Sequence, residues 1–294
     1  MIDVSAEPPT EDLLLVDDPV EGVRRLTMNR PQKRNALNHP LRGAILDALT
    51  AADIDESVRV TVLRGAGTCF SAGYDLGGGN EGHALPYPTA PGDGQWPRHV
   101  TDGWMGIWDL AKPVIAQVHG WCLAGGSELA TGCDLVYVAT DASMGYPAVR
   151  FGVPDMHFHT WFLGMRKAME MMVTGDHLSG TEAVEWGWAN AAFPVEDLED
   201  EVLAVATRIA AMPPDVVQLN KRAVHRQMEY MGIRSGIRAG TELCALAVHT
   251  DAMANFLEGV KQTGLKAALQ RRDEPFGDYR TAGNLPPAGG PSEP

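Results

Sequence analysis

Basic residues are scarce in this sequence, and long apolar runs are absent. Its 24 Lys and Arg are outnumbered by 38 Asp and Glu, so the formal net charge is −14 at pH 7. Nucleic-acid affinity rests on clustered cations that neutralise phosphates, so this balance argues against a nucleic-acid partner. No apolar run approaches the ~20 residues that a membrane helix needs, so no membrane partner is expected either.

Several reactive motifs are missing as well. The four cysteines lack C-x-x-C spacing and no signal-peptide pattern precedes them, which predicts reduced thiols and a cytoplasmic location. His157 and His159 form an H-x-H pair without a third ligand at a metal-binding spacing, so we predict no metal. Ser71 and Ser127 lie beside glycines but outside any G-x-S-x-G elbow, so a serine hydrolase is not expected.

Apolar residues make up 45% of the 294 residues, which is enough for a large core. Glycine (32) and proline (20) are in excess. Short β-branched runs alternate with helical patterns, and purely helical patterns follow. This order predicts an α/β core with largely parallel strands over residues 12–205 and a helical region over 206–280. The polar, proline-rich ends, residues 1–11 and 281–294, are predicted to be disordered tails.

The same patterns assign individual elements. Alternating or continuous β-branched runs predict strands, and apolar positions at helical spacing predict helices. The predicted strands are 13–16, 23–28, 58–63, 114–118 and 135–139. The predicted helices are 41–52, 125–132, 165–174, 180–186, 198–211, 214–231, 234–247 and 251–270.

Residues 77–103 show little periodicity, which predicts either a lid beside a site or a surface insertion. As a lid, the segment and its flank would supply an apolar wall. The aromatic side chains of that wall are Tyr87, Trp96, Trp104 and Trp108. Gly77, Gly79 and Gly82 match the dinucleotide pattern G-x-G-x-x-G, but no helix pattern follows them, so a nucleotide fingerprint is rejected.

Two glycine-rich turns follow predicted strands. The first is C-F-S-A-G-Y-D-L over 69–76, and the second is G-W-C-L-A-G-G-S-E-L-A over 120–130. Backbone N–H groups in such turns and at a helix N-terminus can hold an oxygen that becomes an anion during reaction. Glu128 lies one turn into the helix and could act there as general acid or base. Alternatively, the glycines serve close packing and Glu128 is a solvated helix residue.

At these turns the sequence resembles the crotonase family, the enoyl-CoA hydratases and isomerases. Residues 29–38 resemble its N-R-P-x-x-x-N-A-L segment, 70–76 its F-x-A-G-x-D-L turn, and 112–130 its K-P-V-I-A and glycine-rich helix start. The ending R-D-E-P-F at 272–276 also fits. The resemblance implies a spiral of β-β-α turns closed by a C-terminal helical trimerisation region, with an acyl-coenzyme A thioester as substrate and no separate cofactor.

The resemblance also implies roles for particular residues. The N–H groups of Tyr74 and Gly125 would form the oxyanion hole, and Glu128 would be the catalytic acid or base. The residues implied in binding coenzyme A or the acyl group are Lys33, Arg34, Asn35, Ala36, Ala72, Gly73, Asp75, Leu76, Gly126, Trp104, Trp108 and Ala148. A homotrimer or a dimer of trimers is expected. Apolar helical positions available for it are Leu203, Val205, Ile209, Leu246 and Phe256.

One departure from the family pattern bears on the reaction. Hydratases of the family carry a second glutamate twenty residues after the first, and Ala148 stands there in this sequence. Asp155 is the nearest replacement, His157 and His159 are further candidates, and Arg150 could clamp a substrate carboxylate. We predict hydratase or dehydratase chemistry on an enolised thioester. Isomerisation, hydrolysis on the same fold and non-catalytic acyl-CoA binding are the alternatives.

Overall fold

The computed structural model describes residues 13–78, 80, 85–87, 90–156 and 158–277. The predicted tails at 1–11 and 281–294 lie outside the described residues. The strands are β1 Leu14–Val20, β2 Val23–Met28, β3 Val60–Gly65, β4 Val114–Val118, β5 Trp121–Leu123, β6 Leu135–Ala139, β7 Ser143–Gly145, β8 His177–Ser179 and β9 Ala191–Phe193. The helices are α1 His39–Ile54, α2 Gln95–Asp109, α3 Gly125–Gly132, α4 Phe158–Thr174, α5 Gly180–Glu185, α6 Leu198–Ala210, α7 Pro214–Tyr230, α8 Ile233–Ala247, α9 Asp251–Thr263 and α10 Leu265–Asp273.

The strands form two sheets. In the larger sheet the order is β1-β2-β3-β4-β6-β9, with β1 antiparallel to β2 and every later pair parallel. In the smaller sheet β7 lies between β5, to which it is parallel, and β8, to which it is antiparallel. Strand β4 is buried along its whole length, as a parallel strand covered on both faces should be. The predicted α/β class is confirmed.

Short local signals explain why the helices near the site start where they do. Asn38 caps α1, its Oδ1 accepting a hydrogen bond from the Leu41 N–H at 3.0 Å. The same helix buries Leu41, Ile45 and Leu49 on one face. Helix α3 begins directly after β5, and Ala124, between them, has the unusual φ of +48°. This tight strand-to-helix passage places the first N–H groups of α3 beside the turn that follows β3.

Two sequence expectations about elements were wrong. Residues 95–103, expected in a long loop, belong to α2, which starts after Gly94 (φ +77°) without a side-chain cap. The glycines and prolines around this start hid the helix from a periodicity reading. The predicted helix 251–270 is broken at Gly264 (φ +81°, ψ 159°), which ends α9 and turns the chain into α10.

The last two helices, α9 and α10, pack against the chain segment that follows β7. Phe256 of α9 stacks on Phe151 with ring centroids 4.5 Å apart, and the guanidinium carbon of Arg272 lies 5.5 Å from the same ring. Helices α9 and α10 thereby cover the 3₁₀ turn Pro147–Phe151. The predicted boundary at residue 205 falls inside α6, which packs on strands of the larger sheet.

No single helix among the described residues is long and apolar enough to cross a membrane. By length and composition alone the pair Leu198–Ala210 and Pro214–Tyr230 passes, but the two helices meet at a bend of 107°.

Candidate active site

A cavity of about 810 Å³ lies between the α/β core and the C-terminal helices. That volume is typical of sites for small organic ligands. Seven of the residues predicted to bind coenzyme A or the acyl group line it: Lys33, Arg34, Ala36, Ala72, Asp75, Leu76 and Ala148. The guanidinium of Arg34 stacks over Trp121, 4.5 Å from the ring centroid, and Arg272 adds a further cation to the lining. The cavity therefore offers cations to an anionic ligand in an acidic protein.

Asn35, also predicted to bind the ligand, instead holds the loop in shape. Its side-chain amide is fully buried and donates to the carbonyl oxygens of Ala66 at 2.9 Å and Cys69 at 2.8 Å. Both Arg34 and Asn35 have φ values near +50°, a conformation that non-glycine residues rarely adopt. The anchored amide keeps the neighbouring Arg34 in this strained turn at the cavity edge.

The two glycine-rich turns meet, as the sequence predicts. A side chain at Gly73 (φ +102°) would come within 2.9 Å of the Leu123 carbonyl oxygen and 3.3 Å of the Gly125 nitrogen. At Gly125 a Cβ would lie 2.5 Å from the Tyr74 ring. At Gly126 it would lie 2.6 Å from a carbonyl oxygen of the first turn. Glycine is therefore required at all three positions by close approach.

The N–H groups of Tyr74 and Gly125 donate no hydrogen bond within the described part of the chain. Gly125 is the first residue of α3, whose leading N–H groups have no partner within the helix. The strained Ala124 before it fixes the direction of this N–H. Two backbone donors are thus available on adjacent turns.

Glu128 lies in the first turns of α3 and is completely buried. The Tyr74 hydroxyl donates a short hydrogen bond to its Oε2, and Trp104 Nε1 donates to the Tyr74 oxygen at 2.9 Å. Burial raises the pKa of Glu128 to about 7, against the hydrogen bond from Tyr74, and the nearby Asp155 carboxylate raises the pKa further. A carboxyl group with a pKa near neutrality can both take and give a proton.

Arg42, which was not predicted from the sequence, places a positive charge next to the Tyr74 and Trp104 side chains. Its guanidinium carbon lies 5.2 Å from the Trp104 ring centroid, 5.5 Å from that of Trp96 and 5.7 Å from that of Tyr74. Burial lowers the pKa of Arg42, whereas Tyr74 and Glu128 favour its charged form. An arginine on the otherwise apolar face of α1 was the available signal.

The aromatic wall expected beside the site is only partly present. Trp96 lines the cavity, whereas Tyr87 does not. Trp104 is fully buried on α2 and donates a hydrogen bond to the Tyr74 hydroxyl. Trp108 stacks on His225, with ring centroids 4.4 Å apart, and does not line the cavity. The prediction failed for Trp104 and Trp108 because their side chains lie on the face of α2 that packs into the core, whereas Trp96 of the same helix does not.

The residues after Ala148 form a second cluster. His159 Nδ1 lies 2.7 Å from Asp155 Oδ1, and His159 Nε2 lies 3.0 Å from Ser127 Oγ. All three residues are buried. The structure thus joins Asp155 and His159, which the sequence considered separately, and adds Ser127, which it dismissed. The side chain of His157, the remaining candidate, lies outside the described residues.

Arg150, considered as a clamp for a substrate carboxylate, is already engaged by carboxylates of this chain. It lies 3.0 Å from Asp176 and 3.3 Å from Asp273. Although Arg150 lines the cavity, its ion pairs tie the 3₁₀ turn to α10. Among the described residues, no group of three or more His, Cys, Asp or Glu side chains is arranged to hold a metal ion.

A family model described as enoyl-CoA hydratase/isomerase matches residues 19–278. The chain belongs to the enoyl-CoA hydratase/isomerase family. Within the family it is 34% identical to a probable enoyl-CoA hydratase of Mycobacterium leprae over 222 residues, 74% of this chain and 83% of that protein.

Solved structures of the family show the same fold. An enoyl-CoA hydratase/isomerase from Xanthobacter autotrophicus Py2 superposes with a TM-score of 0.80 at 33% identity, covering 90% of this chain and 98% of that one. An enoyl-CoA hydratase from Mycobacterium smegmatis gives a TM-score of 0.82 at 30% identity, covering 95% of this chain and 98% of that one. The expectation of a crotonase-like fold is thereby confirmed.

Proposed function

We propose that this protein is an acyl-CoA hydratase or dehydratase that stabilises a thioester enolate. The observation that carries the proposal is the buried Glu128 carboxyl group, whose pKa is raised to about 7. It is hydrogen-bonded to Tyr74, whose N–H group and that of Gly125 lie on the two adjacent turns. Its membership of a family whose relatives are named enoyl-CoA hydratases supports the same chemistry.

The oxyanion hole would consist of backbone alone. A thioester carbonyl oxygen placed between the Tyr74 and Gly125 N–H groups gains negative charge as the enolate forms, so the two donors bind the transition state more strongly than the substrate. Each such donor is commonly worth a few kcal/mol when water is excluded. The strained Ala124 and the obligatory glycines hold these donors in place before substrate arrives.

Glu128 would act as base towards water in the hydration direction. Its carboxylate removes a proton from the water that attacks the β-carbon, and in dehydration the same group returns that proton to the leaving hydroxide. The hydrogen bond from Tyr74 orients Oε2, and Trp104 in turn orients the phenol. Glu128 needs to be ionised for hydration, so activity should rise with pH around neutrality.

Coenzyme A would lie along the cavity, with Lys33 and Arg34 next to its phosphates. Arg34 is supported for this by its stacking on Trp121, which fixes the plane of the guanidinium. The neighbouring Ala36, Ala72 and Leu76 supply an apolar path for the pantetheine arm.

The proposal is tested with a panel of 2-enoyl-CoA thioesters that differ in chain length and polarity. Wild type should form the 3-hydroxyacyl product from at least one of them, detected by mass spectrometry, and Glu128→Gln should lose about 10³-fold or more in kcat. Equal rates in the two proteins would remove Glu128 from the mechanism.

A non-catalytic acyl-CoA binder is the second candidate, favoured by Ala148 at the position of the family's second glutamate. Calorimetric binding of the same thioesters without product from any of them would support this alternative. Production of a shifted double bond, or of free coenzyme A, would reassign the reaction to isomerisation or hydrolysis.

We also propose that the chain assembles as a trimer or as a dimer of trimers. Leu246 of α8 is 63% exposed and is joined on the C-terminal helices by exposed Leu219 and Leu243. Leu203, Val205 and Ile209, expected at the interface, instead pack partly against the chain's own core. Light scattering should give three or six times 31.7 kDa, and a monomer or dimer would contradict this assembly.

A further inference from the structure

Arg42 is a buried cation that forms no ion pair with a carboxylate within the described residues. Two arginines of that part of the chain are fully buried, and the other one, Arg30, pairs with Asp75 at 2.9 Å. The Nη1 and Nη2 atoms of Arg42 each lie 3.4 Å from His99 Nδ1, and its Nε atom is buried without a hydrogen-bond partner there. A buried charge of this kind is strongly unfavourable unless other groups of the fold compensate it.

Aromatic rings and a neutral imidazole take the place of the missing carboxylate. The faces of aromatic rings attract a cation, and more strongly where water is excluded. A guanidinium can only donate, so His99 Nδ1 is the acceptor, and burial together with the charge of Arg42 lowers the pKa of His99 to about 3. His39, one turn before Arg42 on α1, packs edge-on against His99. The rings around the guanidinium carbon have their centroids at 5.2 Å (Trp104), 5.5 Å (Trp96) and 5.7 Å (Tyr74).

Tyr74 connects this cation to Glu128. Its hydroxyl donates to Glu128 Oε2 and accepts from Trp104 Nε1 at 2.9 Å, while its ring faces the guanidinium. A positive charge near a phenol makes the hydroxyl a stronger donor, and a stronger donor favours the ionised carboxylate. Burial raises the pKa of Tyr74, and Arg42 acts against that rise. The charge of Glu128 favours charged Arg42, and because a Coulomb interaction is mutual, Arg42 favours ionised Glu128.

The other titratable groups around Glu128 do not supply an unpaired positive charge. Asp155 raises the pKa of Glu128, and burial raises the pKa values of Tyr146 and Cys244, so both of these are neutral at pH 7. His159 lowers the pKa of Glu128, but it lies 2.7 Å from the Asp155 carboxylate, whose charge acts in the opposite direction. The titratable groups that face Glu128 are thus Tyr74 on the turn after β3, Tyr146 after β7, Asp155 and His159 at the start of α4, Cys244 on α8 and Arg42 on α1.

We propose that Arg42 is a positioning residue which, acting through the Tyr74 hydroxyl, keeps Glu128 ionised and oriented to accept the proton of the attacking water. The proposal rests on the hydratase function above. Arg42 itself neither gives nor takes a proton in that reaction, and its charge is the same before and after it. The contribution is a fixed field, built into the fold before substrate arrives.

The position of Arg42 fits a group that acts through another residue. Tyr74 and Trp96 line the ligand cavity, whereas Arg42 does not. A bound thioester would therefore meet the phenol and the indole, and the guanidinium would stay behind them. Substituting Arg42 should change the ionisation of Glu128 and leave the binding of the thioester nearly unaltered.

The test measures the ionisation of Glu128 directly and without turnover. In ¹³C NMR of protein labelled at the glutamate carboxyl carbons, the Glu128 signal is the one that Glu128→Gln removes. Arg42→Met and Arg42→Gln both remove the charge, and Gln retains hydrogen-bond donors. We expect the titration midpoint of Glu128 to rise by about half a pH unit or more in both variants.

Arg222→Met is the matched control, because it removes the same charge from an exposed position of α7. Its midpoint should stay within about 0.2 pH units of wild type, since exposed charges are screened. Replacing a buried charge by an apolar side chain is commonly tolerated, and thermal unfolding verifies that each variant is folded. An unchanged midpoint in the Arg42 variants, or an equal rise in Arg222→Met, would overturn the proposal.

A double-mutant cycle tests the route through the phenol. In a Tyr74→Phe background the hydroxyl that carries the effect is absent, so Arg42→Met should raise the Glu128 midpoint by less than about half of its effect in wild type. Equal rises in the two backgrounds would mean that the charge does not act through Tyr74, which would contradict the proposal.

Turnover provides a second readout that a merely structural role would not move. On an enoyl-CoA that wild type hydrates, Arg42→Met should shift the rise of kcat/KM with pH upwards by the amount seen in the NMR titration. At pH 9 its kcat and KM should stay within about threefold of wild type. A loss of kcat at every pH without a shift would contradict the proposal. If the NMR midpoint moves while no enoyl-CoA is hydrated, the hydratase function fails and the action of Arg42 on Glu128 remains.

Discussion

The two flanks of the cavity are built from different materials. The flank formed by α3 and the turn of Tyr74 uses backbone N–H groups, glycines and one carboxyl group three residues from the helix start. The other flank, from Tyr146 to His159, uses side chains on the backbone between β7 and α4 and on the first turn of α4. Backbone donors are lost only when the main chain moves, whereas side-chain donors change with a single substitution. The donors of the first flank are therefore fixed by the fold, whereas the chemical groups of the second can change by substitution.

The strongest way to break the first flank is to add one carbon at Gly125. Gly125→Ala would place a Cβ 2.5 Å from the Tyr74 ring, so ring and helix start must separate. We expect kcat/KM to fall about 10²- to 10³-fold, the usual effect of losing an oxyanion-hole donor. Gly106→Ala in α2 is the matched control, because no atom lies within 4 Å of its added Cβ. Similar losses in both variants would contradict the assignment.

Glu128 should also cost the protein stability. Because its pKa is raised from 4.5 to about 7, ionising it in the folded protein is unfavourable by up to about 3 kcal/mol. That cost is absent below pH 4.5, grows as the pH rises to 7 and is complete above it. Urea unfolding should therefore show Glu128→Gln more stable than wild type at pH 8 and equal to it near pH 4.5. A constant difference across this range would refute the raised pKa.

Restoring a carboxylate at residue 148, the position of the family's second glutamate, tests whether the second flank can carry an acid or base. Ala148→Glu should raise kcat roughly tenfold, because residue 148 lines the cavity and a carboxyl group there can act as a second acid or base. Ala148→Gln controls for size without the proton. Equal activity of the Glu and Gln variants would show that position 148 no longer reaches the substrate.

Tyr74→Phe gives the smallest expected effect and separates the two contributions of one residue. The substitution retains the backbone N–H but removes the hydroxyl that donates to Glu128 Oε2 and lowers its pKa. The rise of kcat/KM with pH should therefore move to higher pH by roughly one unit, with only a few-fold loss at high pH. A shift to lower pH would mean that the phenol does not favour the charged carboxylate.

The predictability of the two flanks from sequence follows their construction. Strand β4, helix α3 and strand β6 have the predicted bounds, because their signals are local: continuous apolar runs and a glycine pair at a helix start. The resemblance pointed to Glu128 by spacing alone. The ion pair between His159 and Asp155 was not predicted, although the two residues are only four apart, because the sequence pattern started this helix at residue 165 and α4 begins at Phe158.

Helix α2 and Arg42 show the same limit elsewhere. A helix that starts after a glycine, without a side-chain cap, lacks the start signal that Ser, Thr, Asp or Asn would give. Arg42 stands on the apolar face of α1, which signals burial, but only the fold brings three aromatic rings from two other segments around it. Tertiary packing decided both cases.

Because α9 and α10 cover the cavity and come late in the chain, they also determine when the cavity can be completed during synthesis. Met253, Phe256 and Leu269 line the ligand cavity but follow some 250 residues of chain that the ribosome makes first. A nascent chain can therefore form the sheets and the helix that carries Glu128 while its cavity is still open on one side. The complete cavity should form last, when α10 reaches the 3₁₀ turn and Arg150 pairs with Asp273.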